Sequence, residues 1–266
     1  MNLAASGFSV PVSHVSSADN PQIKELRRLS RDSTAYRKLR RVWLEGDHLC
    51  RAALAKGLKP AIGVFSESFW PLAPVEYTQE AIKNIVITDA LFAGVSALES
   101  PAQMGFVMDL PAAAELQPDA ASMILDRVQD AGNVGSILRS AAAFGFGQII
   151  ALKGTAALWS PKVLRAGMGA HFALRLVEGA RPDALAELTV PIVVTSSRHG
   201  SFLHQQAIPM PCAWVMGHEG QGVGDDLMAR ASLKIRIDQP GGEESLNVAA
   251  AAAICLYASS LLGEAR

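Results

Sequence analysis

Apolar residues along this chain come in short runs separated by polar and glycine-bearing turns, and their spacing changes from one region to the next. From Asn20 onward Ile23, Leu26 and Leu29 recur at helical intervals, which predicts a helix with one buried face. Residues 1–18 are small and polar without periodicity and predict a flexible tail. Val42–Leu44 reads as a strand, His48–Lys56 as a helix, Ala61–Phe65 and Ile85–Thr88 as strands, Asp89–Leu98 as a helix and Gly105–Leu110 as a strand. Together they predict a small α/β domain over residues 19–110. Residues 111–120, PAAAELQPDA, hold two prolines and no lasting face, so the linker is placed there.

Residues 121–266 alternate strictly. Ser122–Leu125 is a predicted strand, Gly135–Ala143 a helix closed by Gly145, and Gln148–Leu152 a strand. Lys162–Met168 follows as a helix and Ile192–Thr195 as a strand. One device then occurs twice: a short apolar strand, a glycine-rich polar loop and a helix. Ala213–Met216 leads into Gly217, Gly220, Gly222 and Gly224; Leu233–Ile237 leads into Pro240, Gly241 and Gly242, and Val248–Leu262 is the final helix. Strands and helices taking turns imply an α/β fold with a mostly parallel sheet covered on both faces. In such a sheet ligands sit at the carboxyl ends of the strands. The first loop carries His218 and Glu219, the second Glu243, Glu244, Ser245 and Asn247, and two such loops adjacent in sequence point to one site. Ser245 and Asn247 are equally suited to capping the final helix.

Composition narrows the class. Half of the 266 residues are hydrophobic and 18% are charged, which fits a compact globular protein with much covered surface. Cys50, Cys212 and Cys255 are far apart and form no metal-ligand spacing, so a reducing, cytoplasmic setting is expected, with neither disulfides nor metal. The N-terminus does not resemble a signal peptide, and the longest apolar run is too short to span a bilayer comfortably. The net charge of −1 is unevenly spread. Between Pro21 and Arg41 eight basic residues (Lys24, Arg27, Arg28, Arg31, Arg37, Lys38, Arg40 and Arg41) face two acids, Glu25 and Asp32. Such a surface can neutralise phosphates, and it equally suits a solvated helix face.

The stretch DRVQDAGNVGSILR, from Asp126, leaves a strand and enters a helix near Asn133, which is suited to be its N-cap. Arg139 lies six residues further, within reach of the helix start, where a guanidinium meets a positive dipole end unless an anion is present. Competing motifs are missing. GHEGQGVG is not the dinucleotide fingerprint, no phosphate-loop sequence occurs, and no serine or histidine stands in a triad or metal-pair spacing.

These residues carry a resemblance. DAGNVGSILRSAAAFG, WVMGHEGQGV and IDQPGGEESLNVAAAAAICLY are similar to the three ordered motifs of the SpoU (TrmH-like) RNA 2′-O-ribose methyltransferases of the SPOUT superfamily. WSPKVLRAGMGAHF, residues 159–172, resembles the segment that family carries between its first two motifs. The region after residue 18 resembles, more loosely, the L30e-like substrate-binding domain of the ribosomal-RNA branch. The resemblance implies a trefoil-knotted catalytic domain, S-adenosylmethionine as cofactor and a homodimer. Matched residue by residue, it makes Asn133, Arg139, Glu219, Ser245 and Asn247 catalytic. It gives cofactor contacts to Gly217, Gly220, Ile237, Leu246 and Asn247, and adds Arg165 to the basic residues of 21–41 as RNA contacts. Asp238-Gln239 and His218 depart from the family pattern beside the cofactor loop. Ribosomal RNA is the favoured substrate because of the basic N-terminal region. The alternatives are transfer RNA, a catalytically silent RNA-binding or ribosome-assembly protein, and a small-molecule nucleotide enzyme.

Overall fold

The computed structural model describes residues 10–196, 199–241 and 245–263. The chain divides into two compact units, one running up to Pro111 together with Trp159–Pro161, the other comprising Ala112–Leu158 and the residues from Lys162 onward.

In the first unit the elements are β1 (Val12–Val15), α1 (Pro21–Arg31), α2 (Ala35–Leu39), β2 (Arg41–Glu45), α3 (Asp47–Ala55), β3 (Ile62–Ser66), α4 (Val75–Thr78), β4 (Lys83–Ile87), α5 (Asp89–Val95) and β5 (Met104–Asp109). The sheet order is β1-β4-β3-β5-β2, with β5 antiparallel to both its neighbours. Asn20 starts α1 by accepting the Gln22 N–H at 2.8 Å, and Pro21 needs no partner at the first helical position. Ile23, Leu26 and Leu29 are buried, as their spacing predicts.

Residues 12–15 correct the expected tail. They form β1, which pairs in parallel with β4 at the sheet edge. The strand has a mostly exposed burial pattern. It is held by main-chain pairing, so its side chains carry no alternation that a sequence could reveal.

The second unit contains β6 (Ser122–Leu125), α6 (Ala131–Ala143), β7 (Gln148–Leu152), α7 (Pro161–Gly167), β8 (Arg175–Ala180), β9 (Ile192–Thr195), β10 (Ser201–Phe202), β11 (Ala213–Met216), α8 (Asp225–Arg230), β12 (Leu233–Arg236) and α9 (Val248–Gly263). Its seven strands run in the order β10-β12-β9-β11-β6-β7-β8, and every pairing is parallel. Their carboxyl ends therefore share one edge. The strands β6, β7 and β11 are buried throughout, which is why they read as continuous apolar runs.

Close packing fixes the helices over this sheet. A Cβ on Gly135 would lie 2.4 Å from Cβ of Ala166 and 2.7 Å from the Gly167 nitrogen, so α6 approaches α7 only because residue 135 is glycine. Beyond α7, the buried His171 meets the Leu158 carbonyl with Nε2 at 2.9 Å. A carbonyl only accepts, so Nε2 carries the proton. Burial pushes this imidazole down to about 4, and it serves as a neutral clamp.

The last helix is tied to the central strand by Trp214, whose buried indole N–H donates to Ser259 Oγ at 2.9 Å. Ser259 in turn donates to the Cys255 carbonyl. No helix among the described residues is long and apolar enough to cross a membrane. Ser259→Ala leaves the Trp214 N–H buried without a partner and should cost about 1–3 kcal/mol. Urea unfolding followed by tryptophan fluorescence should show that loss, with circular dichroism of the native state unchanged.

Candidate active site

The site is built where β6, β11 and β12 end. After β6 the chain turns through Arg127, whose φ of +59° is left-handed, and enters α6. Asp130, not Asn133, caps that helix: its Oδ1 accepts the Asn133 N–H at 2.7 Å. The helix thus begins before the expected residue. Both Asp130 and Asn133 are good cap residues, and an Asp three positions ahead of a helical N–H takes the role first. The displacement matters chemically, because it frees the Asn133 side chain.

That amide bridges two other loops. Its Nδ2 donates to Glu219 Oε1 at 3.3 Å, and its Oδ1 accepts from Asn247 Nδ2 at 2.9 Å. Asn247 is itself the cap of α9, its Oδ1 accepting the N–H groups of Ala249 and Ala250 at 2.9 and 3.2 Å. Glu219 also accepts the main-chain N–H groups of Gln129 and Asp130 at 3.3 and 3.2 Å, so its charge lies at the positive end of α6. Burial pushes the Glu219 carboxyl upward. Its own main-chain N–H, that of Asp130, the Asn133 amide and the Gln129 N–H together outweigh that push and hold it below the ordinary carboxylate range.

The glycine loop after β11 folds back on itself. His218 N–H donates to the Gly222 carbonyl at 3.0 Å and Gly222 N–H to the His218 carbonyl at 2.8 Å. Gly217 is buried beneath this turn. A Cβ there would fall 2.2 Å from the Gly222 carbonyl carbon and 2.3 Å from the Val223 nitrogen, so main chain itself forbids any side chain.

Two residues with no role in the sequence reading hold this loop from outside. Asp126, buried at the end of β6, accepts the Gly224 N–H at 2.8 Å. Arg127 grips both Asp126 oxygens, at 2.9 and 3.1 Å, and donates Nη1 to Gln221 Oε1 at 3.1 Å. The available signal was an acid–base pair directly after a buried strand, facing a glycine loop far away in sequence.

Of the remaining site candidates, Arg139 and Ser245 are exposed, and their side chains make no hydrogen bond or ion pair with another described residue. Gly220 is exposed, Ile237 is half-buried, and Leu246 leaves 39% of its surface open, an apolar wall beside the third loop. Gln239 Oε1 and Arg236 Nε are buried with no partner among the described residues, at the end of β12. Gly242, Glu243 and Glu244 lie outside the described residues.

In the first unit, Lys24, Arg28 and Arg31 are exposed at i, i+4 and i+7 of α1, and Arg37 and Lys38 are exposed on α2. Arg27 is half-buried. Arg41 is committed to Glu25 at 3.1 Å and Asp109 at 3.5 Å. Arg31 donates to the Gly94 carbonyl, Arg40 reaches the Pro111 carbonyl, and Lys24 pairs with Asp19. Arg165, in the last turn of α7, is half-buried.

A parallel sheet whose carboxyl edge carries three loops joined by side-chain amides, one of them folded around glycine main chain, defines an α/β ligand-binding domain of enzymatic type. The chain belongs to the SpoU rRNA methylase family, whose model matches residues 120–257. It is 30% identical over 247 residues to the 23S rRNA (guanosine(2553)-2′-O)-methyltransferase RlmP of Bacillus subtilis (strain 168), covering 91% of this chain and 97% of that one. Among solved structures, a putative RNA methyltransferase of the TrmH family from Porphyromonas gingivalis superposes with a TM-score of 0.79 at 28% identity, over 90% of this chain and 97% of that one. The AdoMet-bound rRNA methyltransferase from Sinorhizobium meliloti does so with a TM-score of 0.80 at 26% identity, over 93% of this chain and 97% of that one.

Gly217→Ala tests the loop directly. The variant should fold, with unchanged circular dichroism, and bind S-adenosylmethionine at least about tenfold more weakly in calorimetric titration, since forcing main chain apart costs more than the roughly 1.4 kcal/mol that a factor of ten represents.

Proposed function

We propose that this protein is an S-adenosylmethionine-dependent RNA ribose 2′-O-methyltransferase acting on ribosomal RNA. The observation that carries the reading is the chain Glu219–Asn133–Asn247, which joins the loops after β6, β11 and β12 at the sheet edge where α/β domains bind their ligands. The residues fit the cofactor. Gly220 presents bare main chain on a loop that Gly217 lets fold tightly, Ile237 and Leu246 an apolar wall, and Gln239 an unpaired carbonyl oxygen. When bound, the cofactor supplies a sulfonium-activated methyl group. Its transfer to a ribose 2′-oxygen would make a C–O bond at the expense of the C–S bond, with the hydroxyl proton going to an adjacent phosphate or to water.

The acceptor is the difficult partner, because a hydroxyl is a weak nucleophile. Arg139 stabilises the charge developing on the 2′-oxygen and contacts the neighbouring phosphate. A guanidinium stays protonated, so it works by preorganised electrostatics rather than as a base. Asn133, Ser245 and Asn247 orient ribose and cofactor, and Glu219 fixes the Asn133 amide. The exposed stripe Lys24, Arg28 and Arg31, with Arg37, Lys38 and Arg165, supplies phosphate contacts; the exposed Lys24–Asp19 pair costs little to break. Arg41 is left out of this footprint because it holds α1 to the sheet.

The reading extends to a cytoplasmic homodimer with a trefoil-knotted catalytic domain. Ile254, Tyr257 and Leu261 on α9 are 39, 53 and 53% exposed at i, i+3 and i+7, an apolar stripe that a second copy would cover. The test is transfer of labelled methyl from S-adenosylmethionine to unmodified ribosomal and transfer RNA, by the wild type and by Arg139→Ala. Label should enter the ribosomal fraction and fall at least about a hundredfold in the variant, with cofactor affinity retained. Label confined to transfer RNA would overturn the substrate, and cofactor bound without transfer to either RNA would indicate a silent binder.

A further inference from the structure

The His218 side chain is turned inward onto its own loop. Nδ1 accepts the Gly220 N–H at 3.0 Å and the Gln221 N–H at 3.2 Å. The loop needs such an anchor. Four glycines in eight residues, Gly217, Gly220, Gly222 and Gly224, make it the stretch with most main-chain freedom to lose, and Gly222 adopts a left-handed φ of +70°. Asp126 and Arg127 hold its far half, at Gly224 and the Gln221 side chain. Within the turn, the His218 side chain ties down the main-chain N–H groups of Gly220 and Gln221.

We propose that His218 is a positioning residue of the cofactor loop. Its unprotonated Nδ1 presets Gly220 and Gln221 for the cofactor, and this inference rests on the cofactor assignment made above. The chemistry is directional. Both partners are donors, so Nδ1 must be bare and the proton of the neutral ring must sit on Nε2. Protonation of the imidazole places an N–H against two N–H groups and releases them.

The other charged groups tied to this loop do not share that behaviour. Glu219 faces the start of α6, and its carboxyl is held below the ordinary range, so its contribution is present above that range and lost only as pH falls below it. Arg127 and Asp126 pair with each other, and Asp225 and Asp226 open α8.

Asparagine separates this role from simple loop packing, because its Oδ1 branches from Cγ as Nδ1 does in histidine and accepts without titrating. S-adenosylmethionine affinity should fall about tenfold in His218→Ala, as expected for two lost hydrogen bonds. It should be largely restored in His218→Asn. Hydrogen exchange in the cofactor-free protein reads the anchor without RNA or cofactor: the Gly220 and Gln221 amides should be protected in the wild type and in His218→Asn, and exchange freely in His218→Ala. Equal protection in all three proteins, or an affinity that His218→Asn does not restore, overturns the proposal. Protection that follows the predicted order in a protein that binds no cofactor would keep the anchor and refute the cofactor assignment instead.

Discussion

The site depends on the orientation of one amide. Asn247 spends its oxygen on capping α9, which leaves only its Nδ2 to offer. Glu219 is an acceptor and nothing else once ionised. Asn133 stands between them and satisfies both in one orientation alone, oxygen toward Asn247 and nitrogen toward Glu219. Turning the amide over would set N–H against N–H and oxygen against carboxylate. Hydrogen-bond polarity therefore runs one way through all three loops, from the cap of the last helix to the acid of the glycine loop. It fixes their mutual placement more sharply than apolar contact could, because apolar contact has no direction.

This chain of bonds can exist only because of where the sheet places its ends. β11 lies between β6 and β9, and β12 beyond β9, so loops distant in sequence emerge from one edge. Asp130 then takes over the capping of α6, which keeps the Asn133 side chain available while its N–H stays satisfied. Glu219 adds its charge to the same helix end, where the exposed N–H groups of Gln129 and Asp130 would otherwise lack partners. Capping, dipole and amide polarity thus reinforce one another, and main-chain satisfaction at two helix ends is inseparable from the geometry of the site.

Much of this was legible in the sequence, and the exceptions have physical causes. Buried parallel strands such as Ala213–Met216 advertise themselves as unbroken apolar runs, and the glycines after them mark the sharp turn where Gly217 admits no Cβ. The strands β1, β8 and β10 were not legible. They lie at sheet edges, so main-chain pairing with one neighbour defines them and their side chains keep contact with solvent. The exact start of α6 escaped because Asp130 and Asn133 are chemically equivalent as caps, and only the fold decides between them. Asp126 and Arg127 escaped for a different reason: their partners, Gly224 and Gln221, lie more than ninety residues away, and no local pattern encodes a contact at that separation.

The arginines show how the structure divides binding from support. Arg127 is locked onto Asp126, Arg41 onto Glu25 and Asp109, Arg181 onto Asp183, and Arg230 onto the Pro182 carbonyl. Each of these guanidiniums has its charge or its donors answered inside its own unit. Arg139 has neither among the described residues, although it projects from the helix whose first turn carries Asn133 and whose start is met by Glu219. An exposed guanidinium outside such pairs keeps all five of its donors open. Glu219 is engaged instead by four neutral donors, counting the Asn133 amide and three main-chain N–H groups. The acid is thus satisfied by neutral donors, and no arginine among the described residues is paired with it.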